Sequence, residues 1–120
     1  MKLKILIADD SKTIRKIMKL QLEEMGHVIV AEASNGNEAV ELYFKHSPDL
    51  ITMDMQMPDM NGLEAVKTIK KVDKKVKIIM ITAHGQKDLV VGSIKQGVSD
   101  YLLKPITADK LEESIKKIFT

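Results

Sequence analysis

Residues 4–10 read Lys4-Ile5-Leu6-Ile7-Ala8-Asp9-Asp10, an apolar run that stops at two adjacent carboxylates. A short Ile/Leu-rich run without polar alternation predicts a strand covered on both faces, as in a parallel sheet. Four more short apolar runs follow, at 28–31, 50–53, 78–81 and 101–103. Helix-period segments separate them. Ile14, Met18, Leu22 and Met25 fall at i, i+4, i+8 and i+11, one stripe of a helix. Ala39, Val40, Tyr43 and Phe44 mark a second helix, Leu63, Val66 and Ile69 a third, and Leu111, Ile115 and Ile118 the last. Segment 86–96 is the weakest, because Gly92 interrupts it and a mid-helix Gly costs ~1 kcal/mol against Ala. Gly26, Pro48, Asn61-Gly62, Gly85, Gly97 and Pro105 punctuate the element ends.

Strands alternating with helices in a (βα)5 pattern predict an α/β fold: a three-layer, doubly wound parallel sheet with right-handed crossovers. Five units are too few for the eight-stranded barrel. The chain of 120 residues is long enough for one core, so residues 1–120 are expected to form a single domain. With 44% hydrophobic and 30% charged residues it is neither disordered nor membrane-embedded in composition. The absence of Cys excludes disulfides, zinc–thiolate sites, iron–sulfur clusters and thiol nucleophiles. No apolar run approaches the ~20 residues of a membrane span, and charge appears too early for a signal peptide. A cytoplasmic protein without membrane contact is expected.

A net charge of +2 favours no class of partner. The local excess of Lys67, Lys70, Lys71, Lys74, Lys75 and Lys77, opposed by Glu64 and Asp73, reads as a solvated helix end and loop. Nucleic-acid binding is not expected: the chain has a single arginine, Arg15, and no aromatic side chain interleaves the lysines.

In open parallel sheets, ligands sit beyond the carboxyl ends of the strands. That rule selects Asp9 and Asp10 after strand 1, Asp54 after strand 3, Thr82 after strand 4 and Lys104 after strand 5. Each residue alone has a plain structural explanation; Asp10, for example, could cap the first helix. Their joint placement on one rim is harder to explain that way. Three carboxylates beside one ammonium leave an excess of negative charge that a divalent cation would neutralise. An all-oxygen set favours Mg²⁺, or Mn²⁺, over zinc, and few carboxylates plus water suit Mg²⁺ better than Ca²⁺. Asp54, on the central strand, is the natural nucleophile for an acyl phosphate.

The segments Ile7-Ala8-Asp9-Asp10-Ser11, Met53-Asp54-Met55-Gln56-Met57-Pro58-Asp59-Met60-Asn61-Gly62, Ile81-Thr82-Ala83 and Tyr101-Leu102-Leu103-Lys104-Pro105 together resemble the receiver domains of two-component response regulators, in particular the stand-alone chemotaxis type. The resemblance covers essentially the whole chain. It implies a flavodoxin-like fold with strand order 2-1-3-4-5. It implies that Asp54 accepts a phosphoryl group from a histidine kinase, and that Asp10 and Asp54 bind Mg²⁺ directly, Asp9 through water and Gln56 through its carbonyl. Lys104 would pair with a phosphoryl oxygen and form a cis peptide with Pro105. Thr82 would donate to the phosphoryl group, Tyr101 would turn inward, and Ala83 would leave the site open. The output face would be segment 86–96, strand 5 and the last helix. Gln56 and His84 stand where approach of the attacking water is tuned, although a solvated loop histidine is the plainer reading of His84.

By the same resemblance the chain is not a conventional enzyme; it catalyses its own phosphorylation and dephosphorylation. Its partners would be a chemotaxis kinase and the flagellar motor switch, the chain itself being monomeric. The alternatives are a phosphorelay intermediate serving a histidine phosphotransfer protein, or a receiver cut from a longer regulator. A phosphohydrolase of the haloacid-dehalogenase type is disfavoured because Gln56 stands where that class has its second Asp. A nucleotide-binding domain is disfavoured because no Gly-rich phosphate loop follows strand 1. Retention of the three acids, Thr82 and Lys104 argues against an unphosphorylated docking scaffold. Met53, Met55, Met57 and Met60 read as core and loop filling.

Overall fold

The computed structural model describes residues 1–83, 91–92 and 94–120. Five strands, β1 (Lys4–Ala8), β2 (Val28–Ala33), β3 (Leu50–Asp54), β4 (Lys77–Thr82) and β5 (Asp100–Leu103), form one parallel sheet in the order β2-β1-β3-β4-β5. The fold is flavodoxin-like, with the expected strand order. The helices are α1 (Lys12–Glu24), α2 (Gly36–His46), α3 (Gly62–Val72) and α4 (Ala108–Phe119). Of the expected helix over 86–96, residues 86–90 and 93 lie outside the described residues, while Val91, Gly92, Ile94 and Lys95 are helical.

Strand side chains alternate between two cores. Ile5 and Ile7 of β1, with Leu50, Ile79 and Ile81, pack against Met18 and Leu22 of α1 and Leu111 and Ile115 of α4. Leu6 and Ala8, with Ile51, Met53, Ile78 and Met80, pack against Ala39 and Tyr43 of α2 and Ala65, Val66 and Ile69 of α3. Every residue of β3 is buried, which explains why its sequence shows no polar alternation. Met53, Met55 and Met57 are buried in the α2/α3 core and Met60 packs against it, so these methionines fill space. Among the lysines, Lys70 Nζ donates to the carbonyls of Lys74 and Val76, closing the loop before β4.

Each of α1 to α4 begins at a side-chain cap: Ser11 accepts from the N–H of Ile14, Asn35 from Glu38, Asn61 from Glu64 and Thr107 from Lys110. The cap of α1 is therefore Ser11 rather than Asp10, and the capping explanation for Asp10 falls away. Opposite, Asp73 accepts from the Tyr43 hydroxyl and joins the end of α3 to α2.

Two helix starts are pressed onto backbone. A Cβ on Gly36 would stand 2.1 Å from the Met60 carbonyl oxygen, and one on Gly62 would stand 2.1 Å from the Asp54 carbonyl oxygen. The Gly62 N–H donates to the Met55 carbonyl at 2.9 Å, so α3 starts directly against the last residue of β3. Gly62→Ala is expected to cost roughly 1–3 kcal/mol in urea unfolding through overpacking. Lys67→Ala, on an exposed position of the same helix, should change stability by less than about 0.5 kcal/mol. Equal effects would mean that the backbone at Asp54 yields freely.

Candidate functional site

Parallel strands all point the same way, so their ends share one rim. β1 delivers Asp9 and Asp10, β3 delivers Asp54, β4 delivers Thr82, and the residue after β5 is Lys104. One carboxylate oxygen from each of Asp9, Asp10 and Asp54 lies within 4.8 Å of the others. Asp9 and Asp54 are buried and Asp10 is exposed, so the cluster is open to solvent on the Asp10 side. Lys104 Nζ lies 3.2 Å from Asp54 Oδ2 and 3.5 Å from Asp9 Oδ2. The Lys104–Pro105 peptide is cis.

The hydrogen bonds fix each acid differently. Asp9 Oδ1 accepts the Ser11 N–H at 2.9 Å, while Asp9 Oδ2 is buried and receives no hydrogen bond from the described residues. Asp54 Oδ1 accepts the Gln56 N–H at 3.3 Å, and Asp54 Oδ2 accepts from Lys104. Thr82 is fully buried, and its hydroxyl donates to the Ala83 carbonyl at 3.1 Å. Ala83 is exposed, and Tyr101 is 43% exposed on β5. Gln56 is exposed beside the cluster. His84 lies outside the described residues.

The electrostatics follow from this crowding. Burial pushes the Asp54 carboxyl up, the charge of Asp9 pushes it further, and Lys104 with the Gln56 N–H offsets only part, leaving it at about 6. Burial works against the Lys104 ammonium, but Asp54 and Asp9 outweigh it and raise its pKa. The lysine is thus held as a cation, while Asp54 remains mostly a carboxylate near neutral pH with weakened solvation. The arrangement fits a hard divalent cation on two grounds. The donors are all oxygen, and Asp9 Oδ2 is a buried acceptor that receives no hydrogen bond from the described residues; Lys104, 3.5 Å away, is shared with Asp54. Such a cluster can hold a cation beside a nucleophilic carboxylate and a fixed ammonium, the equipment for handling a phosphoryl group.

Sequence reasoning selected the acids, Thr82 and Lys104, and the fold brings them to one rim. It missed two residues against the acidic loops: Gly62, pressed on the Asp54 carbonyl, and Arg15, whose Nη1 donates to the Asp9 carbonyl at 2.7 Å. Gly62 was visible as helix punctuation and as the end of a family-like segment, but not as a contact on Asp54. Arg15 gave no signal beyond being the one arginine.

The raised pKa of Asp54 has a signed consequence. Unfolded, the group titrates near ~3.9; folded, at about 6. Between those values the folded chain holds the extra proton, so this group's stabilisation is present at low pH and lost as pH rises through the window. A gap of about two pH units corresponds to on the order of 2–3 kcal/mol. Urea unfolding without divalent cations should therefore show Asp54→Asn gaining that amount over wild type between pH 4 and pH 7.5. Parallel pH profiles would contradict the burial argument.

Comparison with known proteins agrees with this geometry. Residues 5–116 match the response regulator receiver domain family. The chain is 46% identical over 114 residues to the chemotaxis protein CheY of Bacillus subtilis, covering 95% of each chain. It is 40% identical over 115 residues to CheY of Thermotoga maritima, covering 96% of each. It superposes with a TM-score of 0.93 and 31% identity on a chain in the crystal structure of the CheX–CheY–BeF3–Mg²⁺ complex from Borrelia burgdorferi, covering 98% of this chain and 89% of that one. The chain belongs to the response regulator receiver domain family.

Proposed function

We propose that residues 1–120 act as a single phosphorylation-activated switch in which Asp54 is the phosphoacceptor. The observation that carries this reading is the buried Asp54 carboxylate at the end of the central strand, clustered with Asp9 and Asp10 and 3.2 Å from Lys104 Nζ. Asp54 attacks the phosphorus of a phosphohistidine on a kinase. The new O–P bond forms as the P–N bond breaks, and its electron pair stays on the imidazole nitrogen. Lys104 pairs with a phosphoryl oxygen and balances its charge. The side chains of Asp9, Asp10 and Asp54, with the main-chain carbonyl of Gln56, are the groups that would hold Mg²⁺ (or Mn²⁺); when bound, the ion neutralises phosphoryl oxygens. Water later attacks the phosphorus of the acyl phosphate, releasing inorganic phosphate and the free carboxylate; Gln56 tunes that approach, and His84, outside the described residues, is the second candidate for the role.

The switch needs a differential interaction between two states. The phosphoryl group adds a nearly doubly negative charge and three strong acceptors. The Thr82 hydroxyl leaves the Ala83 carbonyl to donate to it and draws its loop inward. Ala83, without a longer side chain, keeps the entrance open. Tyr101, now half out on β5, turns toward the vacated space. The change is read on the face of segment 86–96, β5 and α4. The likeness to proteins named chemotaxis protein CheY supports a chemotaxis kinase as donor and a flagellar switch protein as target. This reading places a monomeric chain in the cytoplasm, and none of the described helices is long and apolar enough to cross a membrane.

Incubation with acetyl phosphate and Mg²⁺ is expected to add one phosphoryl mass, labile to hydroxylamine and absent in Asp54→Asn. A gain that survives Asp54→Asn refutes the acceptor. Lys104→Ala should slow phosphorylation at least about tenfold; an unchanged rate removes that residue from the mechanism. Binding to a flagellar switch peptide should appear only with the phosphorylated form. Phosphate transfer to a histidine phosphotransfer protein without peptide binding identifies a relay instead.

A further inference from the structure

Arg15 lies on α1, one turn past the Ser11 cap, and its side chain is only 14% exposed. Its guanidinium faces back over the acidic loop. Nη1 donates to the Asp9 carbonyl at 2.7 Å, and Nε pairs with Glu32 Oε1 at 3.1 Å. Glu32 belongs to β2, the edge strand that sends none of the acids, the hydroxyl or the lysine to the rim. The main chain of Asp9 is held from the other side as well, because its N–H donates to the Ala33 carbonyl of β2 at 3.0 Å. Ser11 takes Asp9 Oδ1. What these contacts leave over is Asp9 Oδ2, a buried acceptor 3.5 Å from Lys104 Nζ, on a side chain that clusters with Asp10 and Asp54.

We propose that Arg15 is a positioning residue: the Arg15–Glu32 bridge anchors the Asp9 main chain to β2 and so sets where the Asp9 and Asp10 carboxylates stand for a divalent cation. The inference rests on the reading of the acidic cluster as a Mg²⁺ site. A planar guanidinium can hold the carbonyl and the carboxylate at once in a fixed relation, whereas an ammonium lacks that fork. Exposed ion pairs commonly contribute almost nothing. This one differs in its second contact, a short bond to a main-chain carbonyl next to two acids of the cluster. Groups that orient metal ligands without touching the metal typically change affinity 10–100-fold when removed.

Positioning and simple electrostatics predict opposite signs. Removing the Arg15 cation leaves Glu32 uncompensated and adds negative potential near the cluster, so electrostatics alone would tighten Mg²⁺ binding. Loss of positioning would weaken it. Neutralising Glu32 as Gln removes a negative charge but keeps an acceptor for Nε; electrostatics alone would weaken binding there, while positioning largely survives.

The test is calorimetric titration of the full chain with Mg²⁺ alone at pH 7.5, with urea unfolding of each variant in parallel. Arg15→Ala is expected to weaken Mg²⁺ binding about tenfold, Glu32→Gln to remain within about threefold of wild type, and Arg15→Lys to recover only part of the loss. If Arg15→Ala does not fold cooperatively, Arg15→Lys decides: it keeps the charge, so several-fold weaker binding supports positioning and unchanged binding overturns it. Tighter or unchanged binding by a folded Arg15→Ala also overturns it. A wild-type chain that binds no Mg²⁺ instead refutes the cation site itself, whereas a binding wild type with indifferent variants overturns the role of Arg15 alone.

Discussion

A carboxylate kept out of water next to another carboxylate is the constraint around which this molecule is arranged. Asp54 is buried because β3 is the middle strand and both faces of the sheet are covered. Burial and the neighbouring charge of Asp9 both work against its ionisation, and the Lys104 ammonium supplies a partial remedy from two strands away. The site is thus poised: its negative charge is only partly balanced by the chain's own residues. A molecule or ion that completes the balance has a thermodynamic reason to bind there, and a group that alters it has leverage over the surrounding loops.

That leverage depends on how stiffly the rim is held. The acids do not hang from free loops. Ser11 both caps α1 and fixes Asp9 Oδ1 through its N–H, Gly62 brings α3 onto the Asp54 carbonyl, and Arg15 ties the Asp9 main chain to β2. The acidic side of the site is therefore rigid by packing. The Thr82 side offers a hydroxyl bonded to the adjacent carbonyl and a tyrosine half out in solvent. In the proposed switch, the acidic half is held by packing and the side of Thr82 and Tyr101 is where a change would be read.

How much of this could be read from sequence differs residue by residue, for physical reasons. Lys4-Ile5-Leu6-Ile7-Ala8 announced a two-sided strand because Ile5, Leu6, Ile7 and Ala8 run without polar alternation, and Asp9-Asp10 announced its end because two adjacent charges break the apolar run. Asp54, Thr82 and Lys104 were legible by the same rule of polarity at a strand terminus. Strand order came from likeness to a family, since apolar runs carry no label saying which neighbour they pair with. Capping of α1 was the plain alternative for Asp10, but the adjacent Ser11 occupies that role. Arg15 and Gly62 were hidden because their importance lies in contacts with main-chain oxygens, which no side-chain pattern records. The weak helical signal at 86–96 reflected Gly92, where a Cβ would come within 3.2 Å of Leu63 Cδ2.

The common direction of the five strands also puts the acids, Thr82 and Lys104 at one rim and keeps them off the other. The turns at Ser47 and Gly97, both exposed and both with left-handed backbone, join elements at the end of the sheet away from the acids. Surface turns of this kind tolerate added chain at small thermodynamic cost. A fluorescent label or an inserted peptide placed there would ride on the domain without meeting the acidic cluster, so these two turns are the natural attachment points for following the molecule in a cell.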